Sequence, residues 1–380
     1  MKRIFLLAVV LLSGSLLAQP PYGSYHLLHT QSAKTFEQGR LEVFTNMNFF
    51  TRSTQWIGSG SPPAGFTATN YWLVAGNFAL TYGFTDFFDM TLSNRVYQDN
   101  HYPSVYNFPG DLFLSAKLGS FDLMRRMLFG GLELKTRFPT GQDHNYPFAE
   151  YASGAVEYGI NGFLSYFSDP YLPERSFSFH ANVGWWNYNE AGKVLYEFSN
   201  GTQLKATKNS SALKYSAGFA YPTAMFDFRL EIHGLNYIEQ PDSFVYSREN
   251  WTYVTPSIKY KPLNWLNVNL GVDIRVSPDE NTTKIVPNKT ADKYNLPNYA
   301  SWKVHLGVDM RILPFAPPRK TAAEVERDEF NKRVEFFQEI IKERERSEDV
   351  QEELDRLKQE REAAEKELEE LKQILEEEGD

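Results

Sequence analysis

Charged and imidazole side chains recur at alternate positions along much of this 380-residue chain. Alternate positions of a strand share one face, so these groups would converge. The acids are Glu42, Asp89, Asp111, Glu133, Glu157, Asp227, Glu231, Asp273 and Asp309. The bases are Arg95, Lys117, Lys135, Arg137, Lys214, Arg229, Lys259, Arg275, Lys303 and Arg311. His180, His233 and His305 fall on the same face at comparable strand positions. Such a set supports two kinds of chemistry. It can pair with itself and stiffen an interior, or it can line a polar path for small solutes. Nine acids against ten bases argues against strong ion selectivity.

Catalysis has little support. Nucleophilic catalysis needs a serine within reach of a histidine that a third group orients, and no inward histidine lies in a Ser–His motif that the sequence specifies. Glu42, Asp89 and Asp111 offer carboxylates for acid–base work, but their spacing does not set them face to face. No metal-ligand spacing and no Gly-rich nucleotide fingerprint is present. With no cysteine, disulfides, thiolate sites and thiol nucleophiles are excluded. The expectation is a non-enzyme without cofactor or metal.

The elements that would position these groups are strands. Phe226, Phe228, Leu230 and Ile232 alternate with Asp227, Arg229, Glu231 and His233. The same period of two runs through 266–276 and 302–312, and it marks strands rather than helices. Twelve strands are expected, near 40–51, 71–83, 87–97, 110–119, 127–137, 154–166, 176–188, 211–221, 224–237, 251–260, 265–276 and 299–312. Connections after even strands are short, such as Pro222-Thr223, and most after odd strands are long, such as 189–210. That segregation belongs to an outer-membrane barrel; a soluble sandwich has no reason for it. The fold class is therefore all-β: a twelve-stranded antiparallel transmembrane β-barrel over 38–315. Lipid cannot hydrogen-bond a free strand edge, so the barrel must close. Twelve strands at the usual spacing and tilt give a backbone radius of about 12 Å and a channel on the order of 10 Å, or none where Arg and Glu meet across it. Tyr71, Trp72, Trp185, Trp186, Trp251, Trp265 and Trp302 lie near strand ends, where an aromatic girdle belongs.

The flanks complete the organisation. Lys2 and Arg3, then an apolar run from Ile4 to Leu12, then Leu16-Leu17-Ala18 read as a signal peptide over 1–18. Residues 19–37 are expected as an N-terminal periplasmic segment. Aromatics make up 15% of the chain, which suits a barrel girdled by lipid, and a mean hydropathy of −0.46 leaves no bundle of apolar spanning helices. The acidic balance belongs to a tail: residues 321–380 carry 11 basic and 23 acidic groups, while the other 320 residues carry 28 and 25. A near-neutral body gives no reason to expect nucleic acid as a partner.

Some motifs resemble a known family. Tyr82-Gly83-Phe84-Thr85-Asp86 is similar to its turn leading into an up-strand, and Gly110-Asp111-Leu112, Ala116-Lys117 and Phe138-Pro139-Thr140-Gly141 continue the likeness. The family is the outer-membrane transporter barrels grouped as MetA-pathway phenol-degradation proteins. The likeness covers about 75–190. It implies a membrane barrel with a channel role and supplies no catalytic residues.

Pro314, Pro317 and Pro318 end the last strand and form a hinge over 316–320. Beyond it, 321–380 is expected as a charged periplasmic helix, capped at Thr321 with Glu324. Val350, Leu354, Leu357, Arg361, Ala364, Leu368, Leu371 and Leu375 follow a 4-3-4-3 spacing, the seam of a coiled coil. That seam points to a homo-oligomer or a periplasmic helical partner. Two functions are expected to compete. One is a narrow channel or transporter for small solutes in the bacterial outer membrane, in contact with its lipid. The other is a structural anchor whose closed, salt-bridged barrel holds the coiled coil at the membrane.

Overall fold

In the computed structural model the described residues are 23–54, 64, 69–100, 105–146, 148–169, 175–198, 200–284 and 298–314, with isolated positions of the tail. The barrel strands are β1 (Leu41–Thr54), β2 (Thr69–Thr85), β3 (Phe88–Asn100), β5 (Leu112–Met124), β6 (Leu128–Phe138), β7 (Glu157–Phe167), β8 (Ser178–Asn187), β11 (Ser211–Pro222), β12 (Phe226–Glu239), β13 (Trp251–Tyr260), β14 (Leu266–Arg275) and β15 (Trp302–Leu313). Each pairs antiparallel with two neighbours. β1 pairs with β15 from Leu41↔Leu313 to Phe49↔Val304 and with β2 on its other edge, so the barrel is closed. Three short strands were not expected. β4 (Val105–Asn107) extends the edge of β3, and β9 (Val194–Glu197) with β10 (Gln203–Lys205) forms a separate hairpin. All three lie in long connections.

The alternation sorts side chains as period two requires. On β6, Leu132 and Leu134 are 54% and 63% exposed, while Glu133 and Lys135 between them are 1% and 6% exposed. Phe228, Leu230 and Ile232 are exposed on β12, where Arg229, Glu231 and His233 are buried. The barrel is therefore apolar outside and polar inside, the inverse of a water-soluble domain. A continuous outer band of that kind is far larger than the apolar patches of soluble monomers.

Loop length segregates by end. The turns 86–87, 125–127, 223–225 and 261–265 lie at one end, and 168–177 is the longest connection there. The connections 55–68, 139–156, 188–210, 240–250 and 276–301 lie at the other. The N-terminal segment approaches β1 from the short-turn end, since Leu41 lies beside Tyr82 and Leu313.

The interior is filled from both ends. The segment expected as periplasmic, 19–37, is in its described part folded into the lumen. There it makes a tight hairpin: Leu27 N–H donates to Thr30 O (2.8 Å) and Ser32 N–H to Tyr25 O (2.9 Å). At the long-loop end, Tyr151, Phe244, Val245 and Tyr299 from the loops pack with Trp186, Tyr188, Leu235, Trp251 and Tyr253. This corrects part of the girdle expectation. Trp186 and Trp251 face the interior, and Trp185 and Trp265 are exposed outward. Trp302 packs against Phe50.

Contacts divide the chain into a unit over 1–319 and one over 320–380. The expected seam, Val350 to Leu375, lies outside the described residues.

Candidate functional site: the lumen and its cavity

The predicted lumen residues on strands lie in inward register, and Asp111, just ahead of β5, is buried against Arg137. Asp89, Asp111, Lys117, Glu133, Lys135, Arg137, Glu157, His180, Arg229, Glu231, His233, Asp273, His305 and Asp309 are buried. Glu42, Arg95, Lys214, Asp227, Arg275, Lys303 and Arg311 are half-buried. A buried charge persists only when it is paired and hydrogen-bonded. Here the partners come from two sources.

The first source is the opposite charge, on the wall or on the turn or loop beside it. Arg137 Nη2 is 2.6 Å from Asp111 and Nη1 is 3.3 Å from Glu157. Glu157 also accepts Trp186 Nε1–H at 2.9 Å. Lys259 lies 2.6 Å from Asp309, Lys261 2.6 Å from Asp227, Arg275 2.8 Å from Asp279 and Arg311 3.4 Å from Glu42.

The second source is the backbone of the N-terminal hairpin. The Glu231 carboxylate accepts the N–H groups of Leu28, His29 and Thr30 at 2.8, 2.8 and 2.7 Å. Lys117 Nζ donates to Ser32 O (2.6 Å), Lys34 O (3.0 Å) and Ser24 Oγ (3.1 Å). Asn182 exchanges two bonds with Gln31. Ser165 Oγ accepts Ala33 N–H at 2.7 Å, and Asp89 accepts Phe36 N–H at 3.3 Å. Wall glycines make room for this chain. A Cβ at Gly271 would sit 2.6 Å from Leu28 Cδ2, and one at Gly119 would collide with Ala33 O. The hairpin is thus fitted to this wall by hydrogen bonds and by missing side chains.

The histidines divide. His180 Nδ1 is 2.8 Å from Ser165 Oγ, a Ser–His contact made across β7 and β8. It is not a catalytic pair: the other ring nitrogen faces Ser178 at 3.1 Å instead of a carboxylate, and the Ser165 oxygen is covered by Ala33. Around Asp273, His29 Nε2 lies at 2.7 Å and His305 Nε2 at 2.9 Å, and His233 stacks on His29 with centroids 3.8 Å apart. Donor atoms of His29, Asp273 and His305 lie within 4.8 Å of one another and could hold a metal ion. Lys303 Nζ, 3.1 Å from Asp273, already supplies a cation to that carboxylate. The cluster reads as an ion-paired floor joining the hairpin to the wall. His29 was missed from sequence because it is 244 residues from Asp273 and sits in no periodic segment.

Between hairpin and loops lies a cavity of about 210 Å³. Its floor includes His29 and Gln31 and its roof Phe148 and Glu150. Burial pushes the Glu150 carboxyl up, but Lys214, Lys303 and Arg137 outweigh that and hold it below its ordinary value.

No protein-family model matches the chain, and no curated protein matches it. Among solved structures it is similar to the NanC porin, with 9% identity and a TM-score of 0.44 over 70% of this chain and 98% of that one. It is similar to an outer membrane channel from Pseudomonas putida F1, with 10% identity and a TM-score of 0.43 over 74% and 98%. A third is the translocator domain of the autotransporter NalP from Neisseria meningitidis, with 7% identity and a TM-score of 0.37 over 73% and 90%. The closed twelve-stranded barrel rests on its own strand pairing.

Proposed function

We propose that this chain is a bacterial outer-membrane channel for small solutes whose resting lumen is closed by residues 23–40. The outward apolar band and the segregated loops support the membrane location, since an exposed face of Leu, Ile, Val and Phe needs lipid. The carrying observation is how the lumen is closed. Glu231, Lys117 and Asn182 hold the hairpin through backbone bonds. Most of these bonds are made to charged groups and are individually strong, but water in an opened lumen would take up the freed donors and acceptors instead of leaving them unpaired. The turn motifs near 82–89 and 110–141 support membership among the MetA-pathway transporter barrels.

The test is conductance of the purified barrel in a planar bilayer, comparing the whole chain with one lacking 23–37. Heat-modifiable migration on a gel reports that each variant is folded. A folded, shortened barrel should conduct steadily at many times the level of the whole chain. A folded but silent one would sink the channel reading.

One set of contacts favours the second reading, a structural anchor. Arg137, Arg275 and Arg311 are each engaged by a carboxylate, as expected of a barrel that stays shut. In that reading 321–380 would be a periplasmic coiled coil that self-associates or docks a helical partner. The leucine spacing from Val350 to Leu375 supports it. A tail peptide that stays monomeric at high concentration would remove self-association.

A further inference from the structure

The charges of the lumen balance in number but not in position. The cavity wall carries Arg95, Lys135, Arg137, Lys214 and Lys303, and among the described residues its one acidic lining group is Glu150. The matching acids stand behind the surface. Asp111 and Glu157 hold Arg137 from positions that do not line the cavity, and Asp273 holds Lys303 in the same way. A solute in the cavity therefore meets cationic tips first. In a narrow space walled by low-dielectric groups, the nearest charges dominate the field.

Glu150 shows what that field attracts. It comes from the long 139–156 connection and not from the wall. Its carboxylate stands 3.5 Å from Lys214 Nζ, a loose contact, and its side chain remains 39% exposed. The loop thus delivers a tethered carboxylate into the basic cavity without sealing it there. Around it lie apolar surfaces. Phe148, Trp186 and Trp251 line the same space, and Lys214 Nζ sits 4.9 Å from the centroid of the Trp186 ring. A bound group would find its charge met by ammonium donors and its body met by rings, the combination that fixes orientation in small-molecule sites.

We propose that this cavity binds a small organic monocarboxylate, and that Glu150 occupies the carboxylate position until the solute displaces it. The proposal rests on the channel reading for its purpose but not for its test. Displacement exchanges one carboxylate for another on Lys214, so the site never exposes an unpaired buried cation, which would be costly. The tether gives Glu150 a high local concentration, so solute affinity must be modest. That suits passage, where binding must be weak enough to release.

Binding can be measured on the whole, detergent-solubilised chain by isothermal titration, with no bilayer and no current. Butyrate is the probe, and butyramide is its neutral match in size and shape. Butyrate should bind at least 10-fold more tightly than butyramide. Glu150→Gln removes the competitor and should tighten butyrate at least 3-fold. Lys214→Gln removes a donor and should weaken it at least 5-fold, with heat-modifiable migration confirming the fold. Equal affinity for both probes, absence of butyrate binding, or a Glu150→Gln variant that binds butyrate no better than the parent would each overturn the proposal. A barrel that binds butyrate as expected yet never conducts would overturn the channel reading and leave the site standing.

Discussion

The two ends of the lumen are filled by opposite chemistry. At the short-turn end the filler is a hairpin held largely through its main chain, with Leu28, Ala33 and Phe36 buried beside it, and the wall supplies Glu231, Lys117, Asn182 and Ser165 to its N–H and C=O groups. At the long-loop end the filler is aromatic. Tyr151, Trp186, Tyr188, Trp251, Tyr253 and Tyr299 pack together, with Tyr253 Oη–H donating to Ala300 O and Tyr299 Oη–H to Ser247 O, each at 2.5 Å. The hydrophobic effect makes the second arrangement expensive to open, because every ring would return to water. The first exchanges protein partners for water, at about 1 kcal/mol per neutral bond and about 1.5–3 kcal/mol for each bond to the Glu231 or Lys117 charge. On the channel reading proposed above, the aromatic end is the one that stays and the hairpin end is the one that lets go.

The sharpest break of that contrast is covalent. The chain has no cysteine, and Ser32 Oγ lies 3.3 Å from Ser165 Oγ. Replacing both with cysteine should tie the hairpin to β7. The oxidised double variant should lose all openings of the whole chain, and a reducing agent should restore them. Equal current in both states would show that the hairpin is not the gate. The next largest effect belongs to the other end. Trp186→Ala removes a buried ring and should cost about 3–5 kcal/mol of barrel stability, read by urea unfolding in lipid. It should do so without raising the opening frequency. A cost under about 1 kcal/mol would mean that the aromatic end is not a core.

Much of the barrel was legible in the sequence because its two faces need opposite residues at alternate positions. Leu132, Glu133, Leu134 and Lys135 state their orientation by type alone. The alternating segments gave the strand number, and turn parity then separated the two barrel ends. What filled the barrel was not legible. Residues 24–36, Ser-Tyr-His-Leu-Leu-His-Thr-Gln-Ser-Ala-Lys-Thr-Phe, have no period, because their structure is dictated by a wall that is distant in sequence. One signal was present: Gly119, Gly218 and Gly271 interrupt inward or near-inward positions, where a lumen full of water would tolerate larger side chains. The inward tryptophans misled for a related reason. Trp185 and Trp186 are adjacent, so one must face in, and only the folded loops give Trp186 its neighbours.

The grip of the hairpin can be tested with less force. Glu231→Gln keeps the shape but removes the charge from three N–H contacts. Bonds to a charged acceptor contribute about 1.5–3 kcal/mol each, and an amide retains part of that. A weakening of docking by about 2 kcal/mol is expected, which raises the open fraction roughly 30-fold. Hydrogen exchange at residues 28–30 should quicken with it, while urea unfolding of the barrel changes little. Protected amides at 28–30 in this variant would contradict the role given to Glu231.

The smallest expected effect is at the boundary between the two ends, where Glu150 from the loops meets Lys214 on the wall. The Glu150 carboxyl is held below its ordinary value, since Lys214, Lys303 and Arg137 outweigh the cost of burial. A depressed carboxyl stabilises the fold at pH values above its unfolded value, about 4.3. That contribution fades as the pH falls through the lower folded value. Solvent reaches the side chain, so the gain is that of an exposed ion pair, about 1 kcal/mol or less. The measurement is therefore a difference: the melting temperature of the parent minus that of Glu150→Gln, followed from pH 7 downward. It should be positive and constant near neutrality and shrink toward zero in acid below the ordinary carboxylate range. A difference that stays flat into acid would mean that the loop carboxylate does not feel the lysines, and the line between a fixed end and a movable end would then have to be drawn somewhere other than at this pair.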